Sequence, residues 1–126
     1  VENKIYKKIS KKYKEVRLEK NTKYNMHTLQ TLVETYAIDN KGLYPENLKV
    51  LINEATKNQY YKQIINYEDA TLEALSDLKS NVKGTVIYIP IKDKSGKVNS
   101  YKILGNDKDG NHLKDKSGKD FFLTNM

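Results

Sequence analysis

The chain has 126 residues, 37% of them hydrophobic, with no Cys, no Trp, ten Tyr and a net charge of +7. That length fits one domain with a modest core. The missing Cys excludes disulfides, thiolate catalysis and Cys-type zinc sites, and fits either side of a membrane. No run of about 18 apolar residues is present, so no segment reads as a membrane span.

The charge is concentrated at one end. Residues 1–24 hold nine Lys and Arg against three Glu, a balance of +6. Within them Ile5, Ile9, Tyr13 and Val16 recur at steps of four, four and three, a narrow apolar stripe on an otherwise charged helix. Met26, Leu29, Val33, Tyr36 and Ala37 continue the helical spacing, Leu32 widens that face, and no Pro or Gly occurs before Gly42. One helix from about Glu2 to Asn40 is expected, a rod close to 60 Å long at roughly 1.5 Å per residue, with Asn21-Thr22 as its weakest point. A small domain does not cover such a rod, so part of it should project or be buried by something outside this chain.

Asn40-Lys41-Gly42 reads as the stop, with Gly42 or Asn40 in the left-handed conformation. Tyr44 precedes Pro45 and is pushed towards extended geometry. Glu46 to Lys57 predicts a short second helix with Leu48, Leu51, Ile52 and Ala55 on one face. Asn58 to Ala70, with Tyr60, Tyr61 and Tyr67, shows no clear period. Leu72, Leu75 and Leu78 read as a further helical turn or a packed loop.

From Gly84 the period changes to two. Residues 85–91 form the first expected strand, with Pro90 marking an edge or a bulge. Residues 98–104 are the second and 120–124 the last. The six residues Lys92 to Lys97 recur identically as Lys114 to Lys119, and Asp107-Lys108-Asp109-Gly110 is a third turn of the same kind. In each, Asp caps the turn and Gly accepts positive φ. The expectation is a single α+β domain over 1–126: a helical rod (1–40), a helix and loop region (41–83), and a three- to four-stranded antiparallel β-meander (84–126).

Catalysis has little support, and the chain reads as a non-enzyme. His27 and His112 are the only histidines. There is no H-E-x-x-H, no G-x-S-x-G and no phosphate loop. Asp107, Asp109 and Asn111 alternate as D-x-D-x-N, the rhythm by which calcium loops wrap oxygens around a hard cation. Asp115, Ser117 and Asp120 are further oxygens on the neighbouring turn. The EF-hand pattern itself fails, because Gly at the sixth position and Glu at the twelfth are missing. An ordinary hairpin turn is the competing reading. The basic helix over 4–23 opens another route, binding to nucleic acid or an acidic surface by ion pairing and counterion release; a solvated helix face competes with it.

The order of parts around the helix exit resembles the type IV pilin superfamily, including the type II secretion pseudopilins. Leu29 to Asn40, followed by Gly42, Tyr44 and Pro45, is similar to the exit of the pilin helix. Tyr101 to Gly110, closing on Phe122-Leu123-Thr124-Asn125, is similar to the family's last strands. The resemblance implies a structural subunit of a pilus or secretion-pseudopilus filament. Ile5, Ile9, Tyr13 and Val16 would pack against other copies and other pilin-like subunits, with inner-membrane machinery assembling them. It also implies a membrane anchor in a segment before Val1, a place at the cell surface or in the periplasm, and calcium in the carboxy-terminal loop, as in major pseudopilins. The alternative is a small secreted or surface module whose basic helix binds nucleic acid or an acidic partner.

Overall fold

In the computed structural model the described residues are 2–64, 75–77 and 79–125, with the side chains of 2–10 outside the description. The rod is one helix, α1 (Glu2–Asp39). It passes through Asn21-Thr22 without a break: Thr22 is buried against the domain, and its hydroxyl is satisfied within the helix by the Leu18 carbonyl at 2.8 Å. The stop is a double left-handed step, at Lys41 (φ 59°) and Gly42 (φ 82°), so Lys41 takes the place expected of Asn40. The Asn40 side chain instead donates to Tyr36 O at 2.7 Å and to Glu54 Oε2 at 2.8 Å, tying the end of α1 to the next helix.

That helix, α2 (Leu48–Lys57), starts two residues later than expected. Asn47 is extended and its side chain accepts from Val50 N at 2.9 Å, which makes it the N-cap. Asp77 Oδ1 accepts from Leu48 N at 3.0 Å, a second cap delivered from 29 residues away. Leu48, Leu51 and Ala55 are the buried face.

The sheet contains β1 (Leu75–Asp77), β2 (Val86–Lys92), β3 (Val98–Gly105) and β4 (Phe122–Leu123) in that spatial order. It is mixed, which corrects the all-antiparallel meander: β1 runs parallel to β2, pairing Leu75 with Val86 and Asp77 with Tyr88. Leu75 therefore sits in a strand and not in a helical turn or loop, while Leu72, Leu78 and Tyr67 lie outside the described residues. A parallel crossover usually takes a dozen or more residues, yet only 78–85 join these two strands. Asn106 holds part of this short link, its side chain donating to Ser80 O and Val82 O at 3.0 Å each. Gly110 (φ 78°) lets the neighbouring loop close on it, since a Cβ there would lie 1.9 Å from Asn81 O.

The core lies between α1 and one sheet face. Met26, Leu29, Leu32 and Val33 pack on Val86, Tyr88, Tyr101 and Ile103, with Leu51, Ile64 and Leu113 closing the ends. Burying each such side chain contributes about 1.5–3 kcal/mol. The helix approaches closely because Gly105 has no side chain: a Cβ there would meet Met26 Sδ at 2.6 Å and Thr22 Cγ2 at 2.7 Å. Tyrosines fill the space that a Trp or Phe would otherwise take. Tyr88 donates to Pro45 O at 2.6 Å, and Tyr44 packs edge-on against Tyr101 at 4.8 Å between centroids.

The two sides of the sheet end differently. On the β4 side, Thr124 Oγ1 donates to Tyr101 O at 2.6 Å and Asn125 Nδ2 to Asn99 O at 3.1 Å, so the tail covers β3 beyond its two-residue partner. On the other side β1 reaches only Val86 to Tyr88. Ile89 to Lys92 have no strand partner there among the described residues. Because Tyr101 turns its carbonyl away from β2, the Pro90–Tyr101 pair is a non-hydrogen-bonded one. The N–H that Pro90 lacks would have pointed off the open edge, so the edge strand offers one donor fewer.

Candidate functional site

The two faces of α1 are unlike. Leu18, Met26, Leu29, Leu32 and Val33 are buried in the domain. On the other side Tyr13 is 67% exposed, Val16 44%, Tyr24 62% and Ile38 81%. Tyr13, Tyr24 and Ile38 are spaced by roughly three and four turns at 3.6 residues per turn, so they share one side of the rod. The expected packing residues Tyr13 and Val16 thus face solvent, away from the domain core. Ile5 and Ile9 fall among the side chains outside the described residues. The lower stripe of Met26, Leu29, Val33 and Ala37 docks on the domain, with Tyr36 partly covered beside it.

Where the rod leaves the domain, Lys108 from the acidic loop reaches across to Glu15 at 3.2 Å. That carboxylate raises the lysine's pKa, through the hydrogen bond first and its charge second. Both side chains are substantially exposed, so the pair itself contributes little to stability. It does partition the surface. On one side is a hollow of about 300 Å³ lined by Lys11, Lys14, Glu15, Leu18, Lys83, Lys108 and Asp109. On the other is one of about 260 Å³ lined by Lys12, Glu15, Val16, Glu19, Asp107 and Lys108. Sequence reading found the basic rod but not Lys83 and Lys108, which join it only through the fold.

The D-x-D-x-N loop folds as a turn. Asp107 Oδ1 accepts from Asp109 N at 2.8 Å and from Asn111 N at 3.0 Å, while Asp109 and Asn111 are exposed. The repeated hexapeptides do the same. Asp93 Oδ1 accepts from Ser95 N and Oγ at 2.8 and 2.6 Å, and Asp115 Oδ1 from Ser117 N and Oγ at the same two distances. Gly96 and Gly118 both have φ 85°. In both turns the serine hydrogen bond is the main cause lowering the aspartate pKa, and backbone amides add to it. Turn chemistry accounts for the Asp107 oxygen that bonds these amides. Among the described residues no three His, Asp or Glu side chains are grouped to hold a metal ion.

The hairpin over 114–120 creates one pairing that sequence spacing hides. His112 Nδ1 lies 3.0 Å from Asp120 Oδ2, and Lys114 Nζ bonds the other oxygen of the same carboxylate. Lys114 and then His112 lower the Asp120 pKa. His112 also borders a hollow of about 650 Å³ on the outer sheet surface, with Asp77, Lys79, Ile89 and Leu104. His27 is exposed on α1, remote in sequence and unconnected to this group.

These features define an α+β domain carried on a helical rod, with exposed apolar residues on the rod's outer side and a lysine-lined hollow at its exit. Compared with protein families, curated proteins and solved structures, the chain matches none of them. No helix of the described residues is long and apolar enough to cross a membrane.

Proposed function

We propose that this chain is the globular part of a filament subunit of the type IV pilin or type II secretion pseudopilin kind, assembling through α1. The observation that carries the reading is the two-sidedness of a 38-residue helix. One face is spent on the domain's own core, while Tyr13, Val16, Tyr24 and Ile38 are exposed on the rest. In this reading the exposed apolar side chains on the outer side of α1 are covered by neighbouring copies. Rods packing side by side in a staggered, head-to-tail way do not close on themselves and grow as a filament with the heads outside. In this reading the subunit works mechanically, at the cell surface or in the periplasm, with other copies and pilin-like subunits as neighbours.

The absence of Cys makes the test clean. In the full gene product, single cysteines placed at Tyr13, Val16 and Tyr24 should form disulfide-linked multimers in the native membrane or filament fraction. Cysteines at the exposed turn residues Lys94 and Lys116 should not. Free labelling of the helix cysteines, with no cross-linked species under oxidation, would sink the proposal.

A further inference from the structure

The domain has two layers, and each leaves something apolar on its outer side. On the helix layer Ile38, at 81%, is the most exposed large apolar side chain among the described residues. On the sheet layer Ile89 and Leu104 alternate with the inward-facing Tyr88 and Ile103, so they lie on the face that α1 does not cover. They floor the hollow of about 650 Å³, whose rim is Asp77, Lys79 and His112. That space is ample for an entering side chain of Ile size.

Charge decides which apolar residue of α1 suits this hollow. Asp77 Oδ1 accepts from Leu48 N, and His112 Nδ1 lies 3.0 Å from Asp120 Oδ2. Lys79 is left as the charged side chain on the rim with no such partner among the described residues. Ile38 is followed by Asp39, which is exposed and has no cationic partner among them either. Tyr13 stands between Lys12 and Lys14, and Tyr24 follows Lys23, so either would bring like charge to Lys79. Val16 lies between Arg17 and Glu15, which Lys108 already holds. Only Ile38 arrives with an unspent acid. Because α1 covers the inner sheet face, Ile38 and the hollow lie on opposite sides of one molecule. A contact between them joins different surfaces of successive copies, which is heterologous and stays open at both ends.

We propose that Ile38 of one copy enters the Ile89–Leu104 hollow of the next, with Asp39 of the first set against Lys79 of the second. The inference rests on the filament reading, since its occupant is a second copy, and it names the seat where one head meets the next. One such contact is smaller than a stable pair needs, so it serves by repetition along the filament.

The test is oxidative cross-linking of the full gene product in its native membrane or filament fraction. The Ile38→Cys/Ile89→Cys variant should give a ladder of linked chains, because each copy carries both halves of an open contact. Each single variant should stay unlinked, and the two mixed should give dimers only. The control Ile38→Cys/Lys94→Cys, which moves one thiol to a remote turn, should give no ladder. In the Ile38→Cys/Ile89→Cys background, Asp39→Lys or Lys79→Asp should each lower the yield about two- to fivefold, as expected for an exposed ion pair. Both reversals together should restore it. No ladder, a ladder of equal yield from the control, or a yield that ignores both single reversals overturns the proposal. Linking through Tyr13→Cys, Val16→Cys and Tyr24→Cys without a ladder here rejects this contact and leaves the filament reading standing; no linking at any of these positions rejects both.

Discussion

The Tyr101 hydroxyl donates to Glu34 Oε2 at 3.3 Å, and the Tyr44 hydroxyl donates to Oε1 of the same carboxylate at 3.2 Å. One side chain on α1 therefore receives the polar tips of the helix exit and of β3 together. Tyr101 is fully buried, and its hydroxyl has Gln30 as a second hydrogen-bond partner beside Glu34. Tyr101→Phe should destabilise the domain by about 1–2 kcal/mol, the lower part of the range for a bond to a charged acceptor because the distance is long. Urea unfolding of this variant, of Glu34→Ala and of the pair forms a double-mutant cycle. A coupling indistinguishable from zero would show that the contact is geometric only.

Burial pushes the phenols of Tyr60 and Tyr101 up to about 12, and nearby carboxylates (Glu54 and Asp39, and Glu34) add to the effect. Tyr88, the most buried of them, is raised further for the same first reason. A raised folded pKa means that the neutral form is favoured in the fold. The stabilisation is complete below the ordinary value of 10.0 and is lost as pH rises towards about 12. The last tyrosines to ionise, followed by ultraviolet absorbance, should do so together with loss of the far-ultraviolet dichroism. Completion of the titration with dichroism unchanged would contradict this.

At the acid end the sign reverses. Asp93, Asp115 and Asp120 are held below the usual carboxylate value of 3.8 by serine, lysine and backbone donors. Their contribution is present above that value and disappears as pH falls below it. Asp93→Asn and Asp115→Asn keep an acceptor oxygen but cannot titrate. The double variant should show a flatter loss of melting temperature below about pH 4 than the native chain. Parallel acid limbs would show that the turns do not drive the acid response.

Gly105→Ala tests the closest helix–sheet approach. The added methyl would sit within 2.7 Å of both Met26 Sδ and Thr22 Cγ2. Met26 is flexible, but Thr22 is held by its own bond to Leu18 O. Overpacking of this kind costs about 1–3 kcal/mol. A neutral result would mean that Met26 alone absorbs the strain.

Asp107→Ala separates turn from metal chemistry. Removing the acceptor for Asp109 N and Asn111 N should lower the melting temperature equally with and without chelator. A native melting temperature that falls on chelation, with the gap abolished in the variant, would assign calcium to the loop.

What could be read in advance was local. The long helix announced itself through repeated 3.6-residue spacing, and the hexapeptide turns through Asp and Gly, whose roles need only their own neighbours. Leu75 to Asp77 could not be read, because three residues carry no period and leucines three apart imitate a helix. The Asp77 cap on α2, the Asn106 clamp on the β1–β2 link and the His112–Asp120 pair all depend on chain returning from elsewhere. The hollow at the rod's exit divides in the same way. Lys11 and Lys14 stood out in the basic segment, while Lys83 and Lys108 belong to it only after folding. The outward position of Tyr13 and Val16 relative to the domain also had to await the core on the other side of α1.

Pro90 carries one consequence for how this molecule can associate. It pairs with Tyr101 on one side but lies beyond the reach of β1 on the other, where it removes one donor that an incoming strand would engage. At the opposite end the tail covers β3 beyond β4 through Thr124 and Asn125. Extension of the sheet from molecule to molecule is therefore disfavoured at the β2 side. In the proposed filament, lateral contacts would fall to the exposed side of α1, which carries no strand edge and so needs no backbone bond to be made or broken. A filament of that proposed kind would be able to lengthen and shorten while every head stays folded.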